Sequence, residues 1–286
     1  MLTPLAGHDL LPLTCTRAGT CCHGKQVWIS PWELARLAVA AGLPPAAFRD
    51  RHTVDGGIRL RFAGDDRWRG QRACDLYDPG SRGCRAYAGR PLACRLFPLG
   101  LRRERGERTW VHEGAALPCL DACPEVAQSP PLRVDAYLAG QRIEAALAAQ
   151  DATLELAMDL GEAAFAVGID SGLLARDASR IAAAWTRMAG LAPTARSAAL
   201  GPWRDRLLLP DTGADPDQPA EWVAAHRDTL RAAMQRELAG LREPAALAAA
   251  SAVCLGMALH LAQACAGDAA ALAGTWQARL AALAGG

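Results

Sequence analysis

Cysteine is the residue type in this chain whose number and placement point to specific chemistry. Eight of the ten cysteines in the 286-residue sequence lie within its first 123 residues. A thiolate is a soft, charged ligand that suits zinc and iron–sulfur clusters. The candidate metal ligands are Cys15, Cys21, Cys22, Cys74, Cys84, Cys94, Cys119 and Cys123. We therefore predict that the first half of the chain folds around bound metal.

The spacing of these cysteines favours metal ligation. Neighbours such as Cys21 and Cys22 cannot readily bond each other, but both can ligate metal. Cys74, Cys84 and Cys94 recur at intervals of ten residues on turn-rich segments, which can wrap their thiolates around a common centre. The paired spacing of a zinc ribbon is absent. Ten is an even number of cysteines, so a disulfide framework is the alternative to a metal centre.

The segment around these cysteines resembles the YkgJ-type cysteine-cluster family, whose domain is described as zinc- or iron-chelating. The resemblance covers about residues 12–125 and rests on Gly19-Thr20-Cys21-Cys22, a capped helix through Glu33, and the segment RPLACRLFP at 90–98. It implies six matched ligands, with the last two of the eight cysteines in support. The matched residues are Cys15, Cys21, Cys22, Cys74, Cys84 and Cys94.

The chain departs from this family at one position. The family often has a further cysteine where this sequence has Ala18, which can shift a ligand role onto Cys119, Cys123 or His23. The resemblance implies an iron–sulfur cluster, of the 4Fe–4S kind, or zinc as the cofactor. Eight thiolates exceed the four ligands that one zinc ion or one such cluster needs, so two sites, or one site with structural thiols, are both open. Flagellin lysine methylases of the FliB type look like relatives that join a similar module to helical sequence.

Other side chains have simpler interpretations. Cys254 and Cys265 lie at helical spacing among apolar residues and are predicted to be buried as small hydrophobes. Arg90 and Arg95 flank Cys94 and either neutralise thiolate charge or pair with surface acids. The remaining histidines show no partner spacing, and we interpret them as surface or core groups. They are His8, His52, His112, His226 and His260.

The predicted fold class is α+β, with a small cysteine-rich metal-binding domain at 1–128 and an alanine-rich helical region at 129–286. Ser30-Pro31-Trp32-Glu33 predicts a helix start with a capping box. Alternation predicts strands at 26–29 and 57–62, and a hairpin at 99–111. Helices are predicted at 132–150, 152–168, 174–191, 220–241, 244–265 and 268–284, with a long connection rich in proline and aspartate near 192–218.

Composition and charge indicate which partners and which cellular location to expect. The net charge is only +1, so we expect no nucleic-acid partner. Residues 1–8 lack the pattern of a secretory signal. We also expect no stretch that approaches the roughly 18 uncharged apolar residues of a membrane span, and hence no membrane. A cytoplasmic protein is the expectation that follows. The partner, a protein or a small molecule, is not defined by the sequence.

Three function classes are consistent with these observations. The first is a cytoplasmic metal-binding protein that holds an iron–sulfur cluster or zinc. The second is a metal-containing modification enzyme, similar to a protein N-methyltransferase, and the third is a redox or metal-delivery protein. No Gly-rich phosphate loop, nucleophile elbow or His-Glu-x-x-His helix supports an enzyme. Whether the chain is an enzyme is therefore open, and no catalytic or cofactor-pocket residue is predicted.

Overall fold

The computed structural model describes residues 3–15, 19–104, 107–112 and 124–285. Short strands in small sheets occupy the N-terminal part, and helices dominate the C-terminal part. This arrangement confirms the predicted α+β class.

The strands are two to six residues long. In chain order they are β1 (Thr3–Leu5), β2 (Leu10–Leu11), β3 (Thr53–Val54), β4 (Arg59–Leu60), β5 (Gly64–Trp68), β6 (Gln71–Ala73), β7 (Tyr77–Asp78), β8 (Gly83–Cys84), β9 (Leu99–Glu104), β10 (Glu107–His112) and β11 (Leu132–Arg133). They form one three-stranded sheet, in the order β1-β10-β9, and the two-stranded pairs β11-β2, β3-β4, β5-β6 and β7-β8. Isolated two-stranded ribbons are marginally stable in water, so this part of the chain needs further stabilisation.

The five longest helices, of 17 to 27 residues, all lie after residue 143. They are α1 (Pro31–Ala40), α2 (Pro45–His52), α3 (Leu92–Leu96), α4 (Pro124–Gln128), α5 (Val134–Gly140), α6 (Glu144–Asp170), α7 (Leu173–Ala189), α8 (Pro193–Ala199), α9 (Trp203–Leu208), α10 (Pro219–Leu238), α11 (Pro244–Ala264) and α12 (Ala269–Gly285). Single 3₁₀ turns lie at Thr20–Cys22, Asp55–Gly57 and Tyr87–Gly89.

The chain divides into two compact units. The first contains Met1–Val27, Leu37–Leu43 and Leu60–Leu147. The second contains Trp28–Arg36, Pro44–Arg59 and Ala148–Gly286. The division between a domain at 1–128 and a helical region at 129–286 stays a prediction, because units defined by packing do not identify functional domains.

Helix α1 starts as its sequence predicts. The backbone N–H of Ser30 donates to Oε2 of Glu33 at 2.8 Å, and the N–H of Glu33 donates to the Ser30 hydroxyl at 3.3 Å. This reciprocal pair satisfies two backbone donors that have no partner within the helix. Both side chains are buried. The predicted capping box is therefore confirmed.

The predicted hairpin at 99–111 is also confirmed. Strands β9 and β10 pair antiparallel from Leu99 opposite His112 to Glu104 opposite Glu107. Strand β1 joins the other edge of β10, with Leu5 opposite Trp110.

The second unit is built on one apolar core. Trp185 of α7 and Leu255 of α11 are fully buried in it. The indole N–H of Trp185 donates to the Ser251 hydroxyl at 2.8 Å, and that hydroxyl donates to the Ala164 carbonyl at 2.7 Å. These hydrogen bonds remove the cost of burying two polar groups among apolar side chains.

Several predicted element boundaries were wrong. The helices predicted at 132–150 and 152–168 are instead α5 and the continuous α6, because the chain breaks at Arg142, whose φ is 51°. The connection near 192–218 contains two short helices, α8 and α9. The strand predicted at 57–62 is only Arg59–Leu60, and the one at 26–29 reduces to a single bridge between Trp28 and Arg59.

One premise about membranes was also wrong. Helix α11 has 21 residues without a charged side chain and is long and apolar enough to cross a membrane by length and composition. Most of its apolar window is buried inside the protein. A core helix passes the same test of length and composition, so the expectation that no membrane is bound stays a prediction.

Candidate metal centre

The Cys21–Cys22 pair lies on the 3₁₀ turn Thr20–Cys22. Gly19 precedes the turn with φ of 78°, in the left-handed region that favours glycine. The N–H of Cys22 donates to the Gly19 carbonyl at 3.0 Å. A Cβ on Gly19 would lie only 2.5 Å from the hydroxyl oxygen of Tyr77. The turn that presents the two thiols therefore requires glycine for both its backbone angle and its close packing.

The chain after this turn runs beside strand β6 and so reaches Cys74. The N–H of Cys74 donates to the carbonyl of Cys22 at 2.7 Å, and the N–H of Gly24 donates to the carbonyl of Arg72 at 3.1 Å. An antiparallel bridge joins His23 and Ala73 between these two bonds. This short ladder places Cys22 and Cys74 on directly adjacent segments.

Two further segments bring Cys84 and Cys94 to the same region. Cys84 ends β8 opposite Tyr77 of β7, and the N–H of Tyr77 donates to the carbonyl of Cys74 at 2.9 Å. Cys94 lies in the short helix α3, where its N–H donates to the carbonyl of Pro91 at 3.0 Å. Backbone hydrogen bonds of turns and ribbons thus position these cysteines.

Electrostatic interactions couple the pKa values of five of the predicted ligands. Burial raises the pKa of Cys94, and the charges of Cys74, Cys84 and Cys21 raise it further. Burial likewise raises the pKa of Cys74 to about 12, with an added contribution from Cys84. Burial also raises the pKa of the Cys84 thiol, to which Cys21 adds. A set of mutually repelling thiolates needs a cation to be held together, and a bound metal would supply it.

The adjacent pair titrates differently from the other thiols. The two sulfur atoms are 3.9 Å apart. A hydrogen bond from Cys22 lowers the pKa of Cys21 to about 6, and the positive charge of Lys25 adds to this effect. The same hydrogen bond, together with burial, raises the pKa of Cys22. The Cys21 thiolate therefore forms readily at neutral pH, whereas the Cys22 thiolate forms only when a nearby positive charge compensates it.

Two cations contribute to this environment and a third has a structural role. Beside the hydrogen bond from Cys22, the charges of Lys25 and Arg90 both lower the pKa of Cys21. The Arg90 guanidinium stacks over the Tyr87 ring, with its central carbon 3.7 Å from the ring centroid. Arg95 donates to the backbone carbonyls of three residues, which anchors α3. They are Ala88 at 2.9 Å, Arg90 at 2.8 Å and Gln141 at 3.2 Å.

His23 is buried beside the cysteine pair. Its Nδ1 lies 3.1 Å from the carbonyl of Gly19, and its Nε2 lies 3.4 Å from a carboxylate oxygen of Asp66. The ring also makes an edge-to-face contact with Tyr77, with ring centroids 5.0 Å apart. These contacts fix the ring against the turn and favour a supporting role for His23, while a ligand role for it stays a prediction.

The other predicted residues fall outside this cluster or outside the described residues. Cys15 is exposed on the segment after β2, and its ligand role stays a prediction. Cys119 and Cys123 lie outside the described residues, as does Ala18. Cys254 and Cys265 are buried in the second unit, as predicted. Burial raises the pKa of Cys254 to about 12, which suits an inert core thiol.

The five thiols form a convergent group and not a closed coordination shell. Within the part of the chain that the structure describes, no three histidine, cysteine, aspartate or glutamate side chains are placed closely enough to hold one metal ion. The donor set nevertheless fits zinc or iron by its chemistry, because it consists of clustered thiols with nearby cations.

The sequence analysis assigned no role at this site to four residues, which are Lys25, Asp66, Tyr77 and Phe97. Lys25 is the chain's one lysine among 31 basic residues, a bias that composition alone would explain. Its placement beside the cysteine pair was the available signal. Phe97 lies in the segment at 90–98 on which the family resemblance rests, but neither Asp66 nor Tyr77 carries a local pattern that would have identified it.

Comparison with known proteins supports a metal-binding assignment for this region. Residues 14–114 match a family model. Its description is "CxxCxxCC: Putative zinc- or iron-chelating domain". The matched residues include Cys15 and the five clustered cysteines, so metal binding in general is supported. No curated protein and no solved structure matches the chain. The comparisons give no evidence for a FliB-like methylase.

Proposed function

We propose that this chain is a metal-binding protein whose first unit holds zinc or an iron–sulfur cluster of the 4Fe–4S kind through its cysteines. The core ligands are Cys21, Cys22, Cys74, Cys84 and Cys94, with Cys15, Cys119 and Cys123 completing the shell or forming a second one. The single observation that carries this proposal is the short backbone ladder that places Cys74 beside the Cys21–Cys22 pair, within the segment that matches a zinc- or iron-chelating domain.

Metal binding at these thiols would be coupled to the release of protons. Burial raises the pKa of Cys74, Cys84 and Cys94, so each is protonated at neutral pH without metal. A metal ion displaces these protons and satisfies thiolates that would otherwise repel one another. Most of the surrounding sheets have only two strands, and isolated two-stranded ribbons are marginally stable in water. Metal binding and the folding of the first unit are therefore expected to be coupled.

The identity of the metal is tested by anaerobic purification followed by iron, zinc and acid-labile sulfide analysis and a visible absorption spectrum. Brown protein with iron and sulfide in equal amounts would establish a cluster. Colourless protein with stoichiometric zinc would establish a zinc site. Iron or zinc at far below one atom per chain, in protein that is folded throughout, would refute the proposal.

The finer parts of this proposal have separate tests. We propose a cytoplasmic location and no nucleic-acid or membrane partner, because the net charge is +1 and the apolar helix α11 is mostly buried. Cell fractionation tests the location. The modification-enzyme and metal-delivery alternatives stay hypotheses that no specific contact among the described residues favours.

A further inference from the structure

Lys25 occupies an unusual place in both the sequence and the structure. The chain has 31 basic residues, and Lys25 is its one lysine. It lies three residues after Cys22, and its Nζ is buried. A lysine ammonium is a compact point charge, whereas guanidinium is planar and larger. This position therefore uses the smaller cation in a chain that otherwise uses arginine.

The Lys25 ammonium lies over the face of the Phe97 ring. An aromatic face attracts a cation through its negative quadrupole, and the attraction is stronger when the cation is withdrawn from water. Phe97 directly follows α3, which carries Cys94, and the Tyr137 hydroxyl donates to the Phe97 carbonyl at 2.6 Å. The ring and its backbone support thus fix the ammonium beside the helix that contributes one of the thiols.

The position of Lys25 relates it to two of the segments that carry the thiols. It follows Cys22 by three residues, and its ammonium lies over the ring of Phe97, which follows Cys94 by three residues. The Arg90 guanidinium is instead stacked on Tyr87. We propose that Lys25 is a positioning residue that supplies a buried positive charge to the metal–thiolate centre and strengthens metal binding. This inference rests on the proposed function.

The expected effect follows from the charge count. A zinc ion with four thiolates carries a net negative charge, and an adjacent buried cation stabilises that charge. A unit charge several ångströms away, at an effective dielectric constant of about 20, changes the affinity by roughly tenfold to one-hundredfold. The metal-free form gains less from Lys25, because most of its thiols are protonated.

The test measures the zinc affinity of the full chain by competition with a chromophoric chelator under reducing conditions. The variants are Lys25→Met, which is one atom shorter and removes the charge, and Lys25→Arg, which keeps the charge and changes the shape. Arg231→Gln removes an exposed charge from α10 and serves as the matched control. We expect Lys25→Met to weaken zinc binding at least about tenfold, Lys25→Arg to give an intermediate loss, and Arg231→Gln to match the wild type.

Each contrary result has a distinct meaning. Zinc binding by Lys25→Met within about threefold of the wild type would overturn the inference and leave the proposed function intact. An equal loss in Lys25→Arg and Lys25→Met would assign the effect to packing on Phe97, which also overturns the role of the charge. If Lys25→Met does not fold, Lys25→Gln is measured under the same criteria. Failure of the wild type to bind zinc or iron would instead refute the proposed function.

Discussion

The turn that presents the cysteine pair is predicted to tolerate no side chain at Gly19. Replacing Gly19 by alanine places a Cβ in the left-handed region at φ 78° and 2.5 Å from the Tyr77 hydroxyl oxygen. Real Cβ atoms do not approach a heavy atom this closely, so the turn or the Tyr77 ring must move. Because Cys21 and Cys22 follow within three residues, their thiols should move with the turn.

The expected loss of stability has two parts, and a substitution at a second glycine distinguishes them. A non-glycine residue in the left-handed region costs about 1–2 kcal/mol, and overpacking adds about 1–3 kcal/mol. Gly42, which follows α1 in the same unit, has φ of 65°, and a Cβ added there would meet no atom within 4 Å. We expect Gly42→Ala to show only the first cost and Gly19→Ala to show both, about 2–5 kcal/mol in total.

The assay is equilibrium unfolding in urea, followed by circular dichroism, on metal-free and zinc-loaded protein. Gly19→Ala should be less stable than Gly42→Ala by at least about 1 kcal/mol. It should also bind zinc more weakly, whereas Gly42→Ala should bind zinc as the wild type does. Equal destabilisation by the two substitutions, or unchanged zinc binding in Gly19→Ala, would contradict the packing described for this turn.

Three further predictions concern protons and capping. Zinc affinity should rise between about pH 6 and 8, because all the clustered thiols except Cys21 have raised pKa values and must lose a proton to bind zinc. The expected rise is roughly tenfold per pH unit for each proton displaced. A chelator competition that shows no pH dependence would contradict this. Burial lowers the pKa of His226 and of His260 to about 4 in the folded protein. As the pH falls from 6.5 to 4, the unfolded chain takes up a proton at each histidine and the folded protein does not, so the free energy of unfolding should fall by up to about 3 kcal/mol for each. His260→Leu should flatten this acid limb in thermal unfolding, and an unchanged limb would refute the assignment. Glu33→Gln should lower the free energy of unfolding by less than about 1 kcal/mol, and Glu33→Ala by about 1 kcal/mol, because only Glu33→Ala removes the acceptor of the Ser30 N–H. Equal unfolding free energies for the two variants would argue against the capping role.

Local sequence signals predicted the elements that depend on neighbouring residues. The capping box at Ser30 and Glu33 and the hairpin around residues 99–112 were correct, since each needs only contacts within a few residues. Alternation overpredicted strand at 26–29 and 57–62, because a strand also needs a partner and these segments share only a short contact. The boundary predicted between residues 150 and 152 lies inside α6, which is continuous from Glu144 to Asp170.

The candidate site was predicted in its residue types and not in its geometry. Spacing and thiol chemistry identified the cysteines, but the ladder that joins Cys22 to Cys74 is formed by hydrogen bonds between segments far apart in the sequence. The close packing of Tyr77 against Gly19 and the contact of Lys25 with Phe97 depend likewise on tertiary packing. Single-sequence patterns contain no information about such contacts.

The most direct test of the metal centre is the metal content of three anaerobically purified proteins. We expect stoichiometric zinc, or iron with acid-labile sulfide, in the wild type. The control Cys254→Ser, whose thiol lies in the apolar core, should retain that metal. Cys21→Ser/Cys22→Ser should lose it, together with the structure of the first unit. A Cys21→Ser/Cys22→Ser protein that stays folded and keeps its full metal content would contradict the assignment of these cysteines as ligands.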